Sequence, residues 1–532
     1  MTVYVPEDFT DAEQDILRRY FTNLDGPVFA LVNLPEVVKG ALFARYSRSP
    51  KSLRRLFLDE FVGDLDIAGD QSVDATIGLE RAEELYEKVF FEYGDDSVAQ
   101  LGGVHLACEQ ASNLLTKILE WGRLMSYLEQ STRYIAYDVR LGGRYRYYRD
   151  PAVLSSRFGT RYVGDMDRMF DAYSLLLTKV TDHVRATVPR DPADSDFVFR
   201  QATRAKALDA VRGVLPAASL SNVGIYGSGQ AFEMLLLRMR AHPLPEARQY
   251  ADLMLTELRK VIPSFLRRID IAERGGRWAN YLSTTRERTS ELVESLMGDL
   301  PVDRADMVEL VDFDPQAEDK LLTAICYPHS HLPEHQIAER VTTMGPAERL
   351  ALIRAYVGER ENRRHKPGRA FERVDYRFDV LSDYGAFRDM QRHRMLTIDW
   401  QPLTPNHGYV RPELVDEAGM ADVFDDAMAR SAALFDALKG EFPEQASGAV
   451  SMAYRLRYSM QFNAREAIHL LELRSSPQGH PAYRRIALEM HRQIDEVAGH
   501  RAVAEAMQHM TTAAPELERL EAERRAAVRR GQ

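Results

Sequence analysis

The sequence predicts a helix-dominated α+β fold, built twice in tandem. Three observations carry this. Apolar residues recur with helical period through long stretches, strand-like alternation is confined to a few short ones, and three local patterns return in the same order along the second half.

The helical stretches are 78–92, 104–125, 159–188, 229–241, 245–268, 279–297, 345–358, 413–438 and 481–497. Each is long enough, and spaced closely enough to 3.6 residues, to bury one face. Strands are expected at Arg133–Tyr137, Arg144–Tyr148, Met307–Phe313 and Phe371–Val380, where β-branched and aromatic residues alternate with polar ones. Low-complexity segments are absent.

Repetition appears at three places. ALFARYS (41–47) is echoed by LLTAICYP (321–328), and Arg-Leu-Met-Ser (123–126) by Arg-Met-Leu-Thr (394–397), each tetrapeptide read as the end of a long helix. The segment 225–251 parallels 462–487. Two diverged copies follow, with domains at 1–275 and 301–532 and a linker region at 276–300, within or beside the polar run RGGRWANYLSTTRERTSE (274–291).

A chain of 532 residues with 45% hydrophobic and 28% charged content can bury more than one core. Its net charge of −11 argues against a nucleic-acid polymer or an anionic membrane as main partner, while leaving small anions open to local basic pockets. Cys108 and Cys326 are the only cysteines, so neither a disulfide framework nor a thiolate metal site is expected. The acidic start MTVYVPEDFTDAEQD lacks an apolar signal core, and no run reaches the roughly 18 apolar residues of a membrane span. A cytoplasmic protein is expected.

Two stretches carry candidate chemistry. SYLEQSTRYIAY (126–137) gathers Ser126, Glu129, Gln130, Ser131 and Arg133 where a helix gives way to extended chain, a donor-rich arrangement suited to phosphate or a pyrimidine edge. A capped helix whose Glu and Arg pair locally reads the same way. RDMQRHRML (388–396) packs Arg388, Arg392, His393 and Arg394 together; guanidinium forks suit phosphate, and an imidazole can bond or stack on a planar ring. A solvated basic helix face is its alternative. Asn463, Arg465, His469 and Arg474 follow one another along a single helix, with Asn463 also a natural N-cap. Arg212 precedes Pro216 at a helix end, where a base also complements the dipole. His329, His331 and His335 have ligand-like spacing, but Pro333 interrupts them and no Cys or Asp joins them, so no metal is expected. Rossmann, P-loop and nucleophile-elbow motifs do not occur.

Taken together, these segments resemble the flavin-dependent thymidylate synthase (ThyX) family, whose signature is R-H-R, two residues, then S-x-N-E-x-S-x-R-Y. The resemblance covers both halves, so the chain looks like a fusion of two such domains, each a small mixed or antiparallel sheet with long helices. In the first half the signature reads WGRLMSYLEQSTRY (121–134), keeping Ser126, Glu129, Ser131 and Arg133 and losing the leading Arg-His. In the second it reads RHRMLTIDWQPLTP (392–405), keeping Arg392, His393 and Arg394 and losing the rest. Departures also include Leu128 for Asn, Asp95 for His in GDDS (94–97) and Asp389 for a Gln.

The resemblance implies roles. Arg392, His393, Arg394, Asn463, Arg465 and His469 would hold FAD. Ser126, Glu129, Gln130, Ser131, Arg133 and Arg212 would hold deoxyuridine monophosphate (dUMP) or a related pyrimidine nucleotide. Arg474, eleven residues after Asn463, would act on the pyrimidine; in the first half the counterpart is Arg238 or Arg240, and Ser447 stands for Arg212 in the second. Methylenetetrahydrofolate would supply the carbon and NADPH the electrons, at a composite site to which each half contributes what the other lost. Positioning and charge, rather than a nucleophilic cysteine, would do the protein's part. A homodimer follows from halving the family's tetramer. A non-catalytic flavin- or nucleotide-binding relative is the alternative.

Overall fold

The computed structural model describes residues 4–34, 36–62, 102–303, 305–515 and 517–529. The helix expected at 78–92 and the GDDS segment lie outside them.

The strands are β1 (Val28–Leu31), β2 (Gly103–Ser112), β3 (Met125–Glu129), β4 (Leu220–Ser228), β5 (Val308–Phe313), β6 (Asp375–Asp383), β7 (Thr397–Trp400) and β8 (Arg455–Asn463). The helices that matter below are α1 (Asn113–Leu119), α2 (Gly159–Thr187), α3 (Asp196–Val211), α4 (Gly229–Arg240), α5 (Pro245–Leu258), α6 (Arg277–Met297), α7 (Tyr384–Met390), α8 (Ala421–Leu438), α9 (Ala464–Arg474) and α10 (Pro481–Glu496).

The strands form two antiparallel sheets, ordered β1-β2-β4-β3 and β5-β6-β8-β7. The orders are the same once the second set is counted from its own first strand, which is the physical form of the repeat. The register agrees too: Ser126 on β3 opposes Tyr226, and Thr397 on β7 opposes Gln461. The two central strands of each sheet run into helices through side-chain caps. Ser112 caps α1, Ser228 caps α4, Asp383 caps α7 and Asn463 caps α9. Each such cap contributes about 1 kcal/mol by satisfying an orphan helix N–H.

By contact the chain divides into two compact units. One comprises Met1–Ser174, Leu215–Val302 and Ala429–Val450; the other comprises Leu175–Val214, Asp303–Met428 and Ser451–Gln532. Each unit thus holds one sheet and takes one segment from the other half of the sequence. In the first unit, Ala217 N and Ala218 N donate to the carbonyls of Val450 and Gly448, both at 2.8 Å. In the second, Ala453 N donates to Gly213 O at 2.8 Å and Ser451 Oγ to Val214 O at 2.9 Å.

Several expected elements differ. The stretch 104–125 is not one helix: β2 occupies its first part, a central strand buried almost throughout, and only Asn113–Leu119 is helical. A buried strand reads as a continuous apolar run that periodicity alone does not separate from a helix. The expected strands Arg133–Tyr137 and Arg144–Tyr148 make no ladder, only the bridges Leu141–Arg144 and Tyr147–Ser219. Arg-Leu-Met-Ser and Arg-Met-Leu-Thr lead into β3 and β7 rather than end helices. The helix from 245 stops at Leu258, and Pro263 starts a 3-10 segment. Gly419, at φ +67, separates a short helix from α8. The helix expected at 279–297, within the region 276–300, is present as α6.

Candidate functional site

The second unit places a chain of polar side chains along one side of its sheet. Helix α7 starts where β6 ends, its N-cap Asp383 Oδ1 accepting from Ala386 N at 2.9 Å. The last turn of α7 and the residues after it meet α9, Asp389 and His393 lying against Arg474 and His393 also against Glu466. Arg388, Asp389, Gln391 and His393 are buried there, while Arg392 and Arg394 are exposed.

Arg212, the C-cap of α3, reaches this helix from the segment Leu175–Val214. Its Nη1 lies 3.6 Å from Asp389 Oδ2, and a Cβ on Gly385 would come within 3.2 Å of its Nη2. The other Asp389 oxygen, Oδ1, is 3.7 Å from Arg474 Nη1. Arg474 Nε donates to His393 Nε2 at 3.0 Å, and His393 Nδ1 lies 2.9 Å from Glu466 Oε1. His469 Nδ1 adds a contact of 3.3 Å to Glu466. Six side chains, from the C-cap of α3, from α7 and the turn after it, and from α9, therefore form one connected series.

The protons in this series can be assigned. A guanidinium Nε always carries hydrogen, so His393 Nε2 must accept, which leaves the neutral ring's only proton on Nδ1, directed at Glu466. Burial holds the His393 pKa down at about 4 even with Glu466 beside it, so the ring is neutral near pH 7. Burial alone pushes the Glu466 carboxyl up; hydrogen bonds from His393 and His469 outweigh it and hold the pKa at about 2. Burial also lowers the Arg474 pKa, with Asp389 opposing. Although ligand atoms of His393, Glu466 and His469 lie within 4.8 Å of one another, a metal on His393 Nδ1 would require the imidazolate, since Nε2 already accepts from Arg474. The trio reads as a hydrogen-bonded relay that orients Arg474.

Arg474 is braced from two more sides. Its guanidinium lies 5.3 Å over the Tyr483 ring. Two residues earlier on α9, buried Glu472 takes a two-pronged ion pair from Arg360, at 2.5 and 2.7 Å, which pins the end of the helix. Beside the series, a cavity of about 350 Å³ is lined by Arg212, Asp383, Gly385, Met452, His480 and Arg485 among others, all of the second unit. That volume is in the range of small-ligand pockets.

The other expected residues fall as follows. Asn463 spends its side chain on the Glu466 N–H at 2.9 Å. Arg465 donates to Pro367 O at 3.0 Å and pairs with Glu372 at 3.3 Å, and His469 is half-buried. Ser126, Glu129, Gln130, Ser131 and Arg133 belong to the first unit. There Ser126 is exposed on β3, while buried Glu129 accepts from buried Lys117 at 3.2 Å. Gln130 donates through Nε2 to Ser49 O at 2.7 Å, and Ser131 Oγ accepts from Arg133 N at 3.2 Å. The position matching Arg474 in the first unit is Met239, counted from the N-cap Ser228, and it is fully buried. Arg238 instead lies 4.3 Å over Trp121, and Arg240 pairs with Asp252 and Asp270.

Two members of the series, Asp389 as a bridge and Glu466 as the histidine's acceptor, were not singled out as site residues from sequence. The spacing of Glu466 from His469, three residues apart on one helix face, was the available signal.

The chain matches known proteins over most of its length. A family model described as "Thymidylate synthase complementing protein" matches residues 44–264 and 309–499. A protein of Chlamydia pneumoniae described only as a UPF0159 protein is 39% identical over 493 residues, covering 92% of this chain and 93% of that one. A UPF0159 protein of Thermoplasma acidophilum is 31% identical over 520 residues, covering 93% and 99%. Among solved structures, a UMP/dUMP methylase, PolB from Streptomyces cacaoi bound with 5-Br dUMP, has 19% identity and a TM-score of 0.30. The match spans 40% of this chain and 99% of that chain. The family match falls once on each sheet, and together the two matches span most of the sequence, so the chain belongs to the thymidylate synthase complementing protein family and carries its domain twice.

Proposed function

We propose that the protein is a FAD-dependent, thymidylate synthase-like enzyme that reductively methylates dUMP or a related pyrimidine nucleotide. The observation that supports this best is the series Arg212–Asp389–Arg474–His393 beside the 350 Å³ cavity of the second unit. Under this reading Arg474 acts on the pyrimidine. Its guanidinium, desolvated and aligned before any ligand arrives, favours negative charge on the ring oxygens. Arg212 serves the nucleotide in the second unit; Ser126, Glu129, Gln130, Ser131 and Arg133 are the nucleotide-type groups that the first unit carries. Asp389 keeps two buried cations close together and limits how strongly they attract an arbitrary anion.

The donor set fits FAD. Arg392 and Arg394 are exposed cations on one turn, and Arg465 is a further cation on α9, which suits a diphosphate; Asn463 and His469 complete the set, and His393, with both nitrogens engaged, serves it by orienting its neighbours. When bound, FAD supplies the two-electron chemistry, with NADPH as reductant and methylenetetrahydrofolate as carbon donor. A cytoplasmic homodimer belongs to the same reading. Among the described residues no helix is long and apolar enough to cross a membrane.

Binding without turnover is the second reading, and Asp389 favours it, because a carboxylate already faces both guanidiniums. Tritium release from 5-labelled dUMP, with folate and NADPH added to flavin-loaded protein, separates the two. Release above the protein-free control supports the enzyme; a yellow protein that binds dUMP and releases nothing supports the binder. A protein that takes up neither flavin nor nucleotide overturns both.

A further inference from the structure

Helix α6 has no buried residue, yet it carries large apolar side chains. Trp278, Tyr281, Leu292, Val293 and Leu296 are 44%, 65%, 60%, 48% and 63% exposed. Among the described residues its side-chain hydrogen bond to another element is in the first half, Arg286 Nη1 donating to the Ala241 carbonyl. Contiguous bare apolar surface of this kind marks an interaction site.

The pattern also says what covers it. Trp278, Leu282, Thr285, Thr289, Leu292 and Leu296 alternate by four and three residues, so they form one seam along the helix. The seam is palindromic about Glu287: Trp278 mirrors Leu296, Leu282 mirrors Leu292, and Thr285 mirrors Thr289. Mirror symmetry along one element is what an isologous contact needs, since each residue must meet its counterpart in both directions. Charge runs the same way. Arg277 lies at the start of the helix and Glu294 and Asp299 at or just beyond its end, so an antiparallel pair brings opposite signs together at the two ends of the seam, while Arg286 and Arg288 flank the axis. The cations nearest the axis, Arg286 and Arg288, sit off the seam.

We propose that α6 pairs antiparallel with α6 of a second copy of this chain about a two-fold axis at Glu287. Each protruding second half then packs on the Trp278 end of its partner. A helix of 21 residues is about 31 Å long. A specific interface has to bury about 1,000 Å², which a contact running the length of both helices is placed to supply. The contact gives a surface to the homodimer of the functional reading and stands whether or not the protein methylates a nucleotide.

Mass measurement by sedimentation equilibrium tests this on the full chain without substrate. The parent is expected at twice 60.6 kDa. The double substitution Leu292→Glu with Leu296→Glu, on exposed positions, is expected to weaken the dimer at least about 100-fold while leaving the melting curve of the monomer intact. Thr285→Cys with Thr289→Cys should link two chains on mild oxidation, and Glu287→Cys, on the outer face, should not. A parent that sediments as a monomer, a charged variant that stays dimeric, or equal linking by Glu287→Cys overturns the proposal.

Discussion

The two sheets end in the same corners and put different chemistry on them. In the first unit, the turn after α1 carries Trp121 and Gly122, Arg238 lies flat over the indole, and Met239 fills the core. In the second unit the same positions after α7 carry Arg392 and His393, and Arg474 stands where Met239 was. Below them, the first unit buries Lys117 against Glu120 and Glu129, whereas the second has Arg388, Gln391 and Trp400. One backbone therefore supports a closed, internally ion-paired corner and a corner whose buried polar series runs to the edge of a cavity. Caps, register and strand order hold the frame, so the side chains on it were free to diverge.

Breaking the closed corner is expected to have the largest effect. Lys117→Met leaves two buried carboxylates facing each other, and it should cost about 3–5 kcal/mol, read as a fall in the melting temperature. The comparable change in the second unit is Arg474→Met, which gives that corner the first unit's residue. It should lower nucleotide turnover by about 10²–10³-fold while the melting temperature moves less than in Lys117→Met.

The relay sharpens the contrast through pH. The folded His393 pKa of about 4 lies below its usual 6.5, so the folded protein refuses a proton that the unfolded chain takes up. Stability is lost as pH falls from 6.5 to 4, by about 3 kcal/mol at the limit. His393→Asn should flatten that part of the stability–pH curve. Glu466, held at about 2 against 4.5, contributes stability above pH 4.5 that is lost as pH falls through 2, and Glu466→Gln should remove that later loss. The smallest effect belongs to the exposed stack of the first unit. Trp121→Ala should cost about 0.5–1 kcal/mol, within reach of a denaturant titration, and leave dUMP binding unchanged.

Much of the frame was legible in the sequence. Helical periodicity found α2, α4 and α10, and the recurrence of three local patterns found the duplication that the matched strand orders express. Strands were harder. β2 was hidden because a central strand is apolar on both faces, and the run Arg144–Tyr148 alternated like a strand while Arg146 and the following Arg149 lay over tyrosine rings. Arg392, His393, Arg465 and Arg474 were singled out by residue type and spacing along one turn and one helix, which are local properties.

Local pattern, caps and composition thus determined the elements, their repetition and which residue types could carry chemistry. Tertiary structure decided which of them meet. Arg212 stands in the first half of the sequence, yet it belongs to the second unit, because Leu175–Val214 packs there and its 3-10 turn bonds to Ser451 and Ala453. The engagement of both His393 nitrogens depended likewise on the turn after α7 meeting α9 at Glu466 and Arg474. Such contacts join residues far apart in the chain, and their energies are set by burial and distance in space, which spacing along a sequence does not encode.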